Sequence, residues 1–313
     1  MTAADKPEPV ELAVDHRTVR ISNPDRVYFS ARGETKLDLA RYYLSVGDGI
    51  VRALRERPCM LHRFPSGVDG EKVHQKRLPS GAPDWVETVR VDFPRYGRHA
   101  YELCVTELAS VIWAVQMSTV EFHPWNSRRA DVEHPDEWRI DIDPMPECDF
   151  PSVRRVAQAA REVLDELAVV GWPKTSGGRG IHIYVRIEPR WGFADVRRAA
   201  LAFAREVERR RPADATTTWW RKNRDPSKAF VDYNQNARDH TSASAYSVRG
   251  VKEGTVSTPI RWEEIDEVVP DELTIATVPE RFARLGDLHY GIDDAAFSLE
   301  PLLEWAERDE RAG

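Results

Sequence analysis

The chain is poor in cysteine: among 313 residues there are three, Cys59, Cys104 and Cys148. None forms a C-x-x-C pair, so neither a thiolate zinc site nor a disulfide framework is indicated. A reducing, cytosolic setting fits that usage. No apolar run of 18 residues occurs, which leaves no candidate for a membrane-spanning helix. The first twelve residues contain no apolar core of the signal-peptide kind. There is no internal repeat, no low-complexity block and no Walker A loop of the form G-x-x-x-x-G-K-[ST]. Positive charge is in deficit, 45 Lys and Arg against 52 Asp and Glu, for a net charge of −7. That argues against a sticky, non-specific nucleic-acid binder. Local basic runs remain at Arg128-Arg129, Arg209 to Arg211 and Arg221 to Arg224. Such runs are more often solvated faces than phosphate sites. What is present is ordinary for a soluble enzyme with a sizeable core: 41% hydrophobic and 31% charged residues.

Periodicity supplies the elements. Residues 1–12 read as a disordered tail and 303–313 as a C-terminal tail, with one domain over 13–302 between them. Val19 to Ser30 reads as strand and turn, with Asn23-Pro24 as the turn signal. Thr35 can cap a helix from Lys36 to about Val46. Pro58 to Phe64 and Thr119 to His123 read as strands, and Ala109 to Met117 as a buried helix. Ser152 to Val170 is amphipathic, with Val153, Val156, Ala160, Val163 and Leu167 at helical spacing and Gly171 as its stop. Ile181 to Ile187 alternates as a strand, Phe193 to Arg211 reads as a helix, and Ala229 to Tyr233 as a short strand. Strands and helices mix without regular βαβ alternation. The expected class is α+β, or mixed α/β, with a central antiparallel-rich sheet flanked by helices.

The stretch Trp138-Arg139-Ile140-Asp141-Ile142-Asp143-Pro144 alternates with period two. Asp141 and Asp143 therefore share one strand face, roughly 6–7 Å apart at Cα. Pro144 cannot donate to a ladder and ends the strand. An isolated D-x-D is ordinarily two solvated acids, but convergent carboxylates also suit a hard divalent cation. Further along, Thr175-Ser176-Gly177-Gly178-Arg179-Gly180 precedes the strand carrying His182. Glycines there let amides approach an anion, and Arg179 adds a cation suited to phosphate. Asp232 is an acid inside the apolar strand of Phe230-Val231-Asp232-Tyr233-Asn234-Gln235-Asn236, where an unpaired carboxylate is costly. It is either salt-bridged or a third metal ligand. Arg249 follows in Tyr246-Ser247-Val248-Arg249-Gly250.

The order I-D-I-D-P, S-G-G-R-G-I-H-I-Y, F-V-D-Y-N-Q-N, A-Y-S-V-R resembles the polymerase domain associated with bacterial ATP-dependent DNA ligases C and D. That domain belongs to the archaeo-eukaryotic primase superfamily. The resemblance takes in His123-Pro124-Trp125-Asn126 and Asn23-Pro24-Asp25-Arg26 and runs from about Thr18 to Leu302. With no ligase or nuclease module in the sequence, the chain resembles a free-standing version. The resemblance implies a template-dependent polymerase or primase that fills short gaps or breaks in DNA and prefers ribonucleotides. It implies two divalent ions, Mg²⁺ or Mn²⁺, held by Asp141, Asp143 and Asp232. Ser176, Arg179, His182 and Arg249 correspond to the nucleotide-triphosphate site, and His123 to a residue beside the sugar. Arg26 and Lys36, with Asn23 beside them, correspond to the grip on a DNA 5′-phosphate. Implied partners are gapped or primed DNA, nucleoside triphosphates, and a ligase and Ku acting in trans. The setting implied is the bacterial cytoplasm and nucleoid, and a monomer. In one place the chain departs from the family: Val73-His74-Gln75-Lys76 stands where two adjacent aromatics often precede Gln-Lys to stack on template bases.

Two other readings compete. A D-x-D phosphohydrolase would use Asp141 as nucleophile, but Met145 stands where such motifs carry Thr or Val. A non-catalytic end-binding module would have no need of all three acids.

Overall fold

A computed structural model describes residues 8–312. They form two compact units. The first runs through Pro124 and adds Ala243–Ser257 and Asp271–Asp287; the second holds Trp125–Ser242, Thr258–Pro270 and the chain from Leu288. Helices and mostly antiparallel sheets give the mixed α/β class expected. Among the described residues no helix is long and apolar enough to cross a membrane.

In the first unit, β1 (Val10–Val14) pairs antiparallel with β2 (Arg17–Ile21), and β3 (Val27–Phe29) with β4 (Glu34–Thr35). Helix α1 (Lys36–Ser45) starts where expected because Thr35 and Asp38 close a capping box. Its Leu39, Ala40 and Tyr43 are buried. Helix α2 (Gly47–Leu54) follows. Strands β5 (Pro58–Arg63), β6 (Val73–Gln75), β7 (Thr88–Phe93), β8 (Arg98–Cys104) and β9 (Thr119–Pro124) make a five-stranded sheet. In it β5 pairs with β6, β8 and β9. Helix α3 (Leu108–Gln116) is apolar nearly all round and is buried from Ala109 to Val115. The tail expected over residues 1–12 needs correction: Val10 to Leu12 belong to β1, where Leu12 packs on the core. Residues 1–7 of that tail lie outside the described residues.

In the second unit, β10 (Glu137–Pro144) is the central strand. Strands β11 (Trp172–Thr175), β12 (Ile181–Arg186), β13 (Ala215–Thr216) and β14 (Ala229–Asp232) complete a sheet of order β11-β12-β10-β14-β13. All neighbours are antiparallel except β13 and β14. Trp138, Ile140 and Ile142 of β10 join Ile181, Ile183, Val185 and Val231 in one apolar cluster. That cluster is closed by α4 (Phe150–Glu166) and α5 (Phe193–Arg210), with Trp138 edge-on to Phe203 at 4.8 Å. The opposite face is left for polar chemistry. Helix α4 stops at Glu166 rather than Val170, because Ala168 turns left-handed at φ 54°. The tail expected at 303–313 is also corrected. A helix spans Glu300–Ala312 and packs on α5, because Leu302 and Ala306 form an apolar stripe among its charges.

Candidate active site

The acids of the second unit come together through strand register. Asp141 of β10 lies opposite Asp232 of β14 on one side and His182 of β12 on the other. Asp143 is two residues along β10, on the same face. Partial desolvation raises the Asp143 carboxyl to about 6, with repulsion from Asp141 and Asp232 adding to it. Asp143 itself remains exposed, so water moderates that shift. Asp232 is raised too, by burial first and then by Asp141. The nearest cationic influences are Arg221 and Arg224, which pull Asp143 down only partly. Three carboxylates on one sheet face are a donor set suited to hard divalent ions.

His182 is oriented by a residue that sequence reasoning did not single out. Lys174 of β11 is fully buried, and its Nζ lies 2.9 Å from His182 Nδ1. An ammonium has only donors, so Nδ1 accepts and the ring proton sits on Nε2. Nε2 is 3.2 Å from Asp141 Oδ1, so His182 presents its N–H to the acid. Lys174 also lies 4.9 Å from the Tyr184 ring centroid.

Ser176 folds the loop that follows β11. Its Oγ accepts from the amides of Gly178 (3.1 Å) and Gly180 (3.0 Å). Gly177 has φ 71°, and a Cβ on Gly180 would meet Ile142 O at 2.6 Å, so both glycines are structurally required. Arg179 donates to the carbonyls of Cys148 and Pro146, which brings its guanidinium to the stretch just after β10. A second contributor that the motif reading passed over is Asn236. Its side chain accepts from Arg139 N–H and donates to Arg139 O, both at 2.8 Å, clamping β10 to the turn after Asp232.

The first unit holds a separate cluster. His62 Nδ1 and His123 Nε2 both donate to Glu121 Oε2, at 2.9 and 2.7 Å. The two imidazoles are 3.7 Å apart, and His74 stacks on His62 at 4.4 Å. Glu121 Oε1 accepts from Gly250 N–H at 2.7 Å and lies 3.8 Å from Arg249 Nε. Burial opposes the Glu121 charge, but the bonds from His123 and His62 and the charge of Arg249 outweigh it and hold the carboxyl far below its usual range. Burial pushes His123 down to about 3, so its ring is neutral. Because an ionised carboxylate only accepts, Nε2 carries the His123 proton and Nδ1 is a bare acceptor. The ligand atoms of His62, Glu121 and His123 lie within 4.8 Å of one another, close enough in kind and spacing to hold an ion.

Asn23 sits at the turn with φ 50°, and Arg26 N–H donates to its carbonyl at 3.2 Å. The Arg26 guanidinium donates to Pro65 O. Lys36 is only 3% exposed, and its Nζ donates to Ser22 O (3.0 Å), Gln116 O (2.8 Å) and Gln116 Oε1 (2.8 Å). Burial, with Arg26 and Arg63 nearby, lowers it to about 8. Phe64, an aromatic near the departing Val73-His74 motif, is buried in the core and offers no exposed face.

Residues 35–289 match the family described as LigD, primase-polymerase domain. The chain belongs to that family. Members of the LigD primase-polymerase family are nucleotidyltransferases of the polymerase class, and they depend on metal. The multifunctional non-homologous end joining protein LigD of Pseudomonas aeruginosa is 34% identical over 85% of the chain, and that of Mycolicibacterium smegmatis 30% over 89%. The match covers 32% and 36% of those two proteins, so the chain spans about a third of their length. Among solved structures, the polymerase domain of Mycobacterium tuberculosis ligase D in complex with DNA superposes with a TM-score of 0.82 at 28% identity, covering 89% of this chain and 99% of that one.

Proposed function

We propose that the chain is a template-dependent polymerase that fills short gaps or breaks during DNA repair and prefers ribonucleotides. In this reading residues 13–302 work as one catalytic domain. The observation that carries it is the Asp141–Asp143–Asp232 group, three carboxylates on one sheet face of a LigD primase-polymerase member. These acids would hold two divalent ions, Mg²⁺ or Mn²⁺, as an all-oxygen donor set. When bound, such ions supply charge stabilisation for attack of a 3′-hydroxyl on a triphosphate and for the departing pyrophosphate.

The protein's own residues do the rest. Lys174 holds His182 so that Nε2–H faces Asp141, which aims that carboxylate. Asn236 fixes the backbone that carries the acids. Ser176, Arg179, His182 and Arg249 serve the nucleotide's phosphates, as cations and donors suited to phosphoryl oxygens. Glu121 leaves His123 Nδ1 as an acceptor, suited to a ribose 2′-hydroxyl. Asn23, Arg26 and Lys36 serve the 5′-phosphate across a gap. The relatives are named for non-homologous end joining, and the tuberculosis domain was solved with DNA. We extend both to this chain, acting as a monomer in the bacterial cytoplasm at the nucleoid, with a ligase and Ku as partners in trans.

The test is incubation with a gapped, 5′-phosphorylated duplex, Mn²⁺ or Mg²⁺ and labelled nucleotides. Template-directed addition, faster with ribonucleotides, is expected. No addition with either sugar and either metal would overturn the reading.

A further inference from the structure

Two adjacent tryptophans lie in water in the second unit: Trp219 is 50% and Trp220 62% exposed. They occupy the connection from β13 to β14, just before a single helical turn at Arg221–Asn223. Solvent-exposed aromatic pairs of this size mark interaction surfaces. The pair is held in place. Arg197 of α5 lies 5.2 Å from the Trp219 ring centroid and 5.0 Å from that of Tyr233. Trp219 is 6.3 Å from Tyr233, and Trp220 stands edge-on to Trp219 at 6.3 Å. Arg224 donates to the carbonyls of Thr218 (2.8 Å) and Trp219 (3.0 Å) while lying over the Phe230 ring. Tyr233 immediately follows Asp232 in the chain, so this aromatic ladder is anchored in the strand that carries that acid and ends in solvent.

The charges beside it are available. Arg155, Arg198, Arg210 and Arg238 of the same unit are each paired to a carboxylate. Arg221 and Lys222 are exposed, and neither has an ion-pair partner among the described residues. Arg221 and Arg224 nonetheless act on Asp143, so this connection approaches the acids rather than a remote face. Exposed indoles next to uncommitted cations are the chemistry of single-stranded nucleic-acid binding, where bases stack and phosphates pair.

We propose that Trp219 and Trp220, with Arg221 and Lys222, form a platform that stacks the 3′-terminal bases of the strand being extended. This rests on the polymerase reading for its choice of strand, since the 3′-hydroxyl is the end brought to the acids.

The test places 2-aminopurine at the primer 3′ terminus of a gapped duplex, because the protein's own 10 tryptophans obscure intrinsic fluorescence. Saturable quenching is expected with the wild type and with Trp220→Phe. Trp220→Ala should lose most of the quench and bind the duplex roughly five- to a hundredfold more weakly, the range of one stacked base. The KM for nucleotide should not change. Arg221→Ala with Lys222→Ala should keep the quench at low salt but flatten the salt dependence of binding, by a slope of about 2. Wild-type quench and affinity in both Trp220→Ala and the Trp219→Ala, Trp220→Ala double variant would overturn the platform. So would quenching that follows a probe in the template strand and not in the primer. The quench needs no catalysis, so a wild type that stacks the base yet adds no nucleotide counts against the polymerase reading and for the platform.

Discussion

Asp141 stands directly across the ladder from Asp232, so one rung of the central sheet carries two carboxylates. Cβ atoms on such a rung are about 4.5–5.5 Å apart, and like charges there destabilise the pair. A bound divalent cation would relieve that repulsion.

From that rung comes the first prediction. Asp141→Asn and Asp232→Asn should each reduce nucleotide addition at least a hundredfold. In chelator each should melt no lower than wild type, and up to a few degrees higher, as relief of about 0.2–1 kcal/mol of repulsion allows. Mn²⁺ should raise the melting temperature of wild type and not of either variant. Differential scanning fluorimetry beside primer extension reads both. Wild-type extension by either variant would remove these acids from catalysis.

Glu121 should control sugar choice through His123. Replacing the acceptor-only carboxylate by an amide in Glu121→Gln lets the ring nitrogens exchange roles, so Nδ1 is no longer a dependable acceptor. One hydrogen bond is worth about 0.5–1.5 kcal/mol net, so the ribonucleotide preference should shrink several-fold. His123→Ala should shrink it likewise, chiefly by slowing ribonucleotide addition. Single-turnover kinetics with matched ribo- and deoxyribonucleotides give the ratio. Proportional loss of both would leave His123 as packing alone.

Under the proposed function, Lys36 should link phosphate recognition to pH. Its folded value of about 8 lies below the unfolded value near 10.4, so the folded chain gives up this proton first. Between those values the unfolded state holds more protons, and this group's contribution to stability therefore rises with pH from about 8 to about 10.5. The charge needed for a phosphate runs the other way. Preference for a 5′-phosphorylated gap over a 5′-hydroxyl one should decline as pH rises through about 8. Binding isotherms for the two substrates from pH 6.5 to 9 test it; a flat ratio would assign the preference elsewhere.

Arg26 is the cleaner probe of the same pocket. Lys36→Ala leaves the carbonyls of Ser22 and Gln116 without their buried donor, which costs about 1–3 kcal/mol of stability. Arg26 is exposed and donates to one carbonyl, so Arg26→Ala should leave the melting temperature within about 2 °C. It should still weaken binding to the phosphorylated gap more than to the unphosphorylated one. Equal weakening on both would refute a phosphate grip.

Much of the second unit's site was legible because β10 and β12 carry apolar residues on one face and polar ones on the other. Period two then puts Asp141, Asp143 and His182 on the polar face from sequence alone. The rung joining Asp141 to Asp232 was not legible, since register between distant strands is a tertiary outcome. Lys174 escaped because a lysine ahead of a glycine loop looks like any solvated cation until its burial against His182 is seen. His62 escaped for a similar reason: it is 59 positions from Glu121 in sequence, and only the pairing of β5 with β9 brings them together. Val10 to Leu12 and the last helix were misread as parts of tails, since β1 depends on β2 and the last helix on α5, and neither dependence is local.

Central β10 is paired along both edges at Asp141 and Ile142, and its apolar side is roofed by two helices. Amides so placed exchange with solvent deuterium only when the whole unit opens. The acids proposed to hold the metal are thus carried by what unfolds last, while the Trp219 connection hangs on a few arginine contacts and can open by local fluctuation. On warming, grip on the nucleic acid should fade first, and the capacity to bind Mn²⁺ should persist until the unit itself melts.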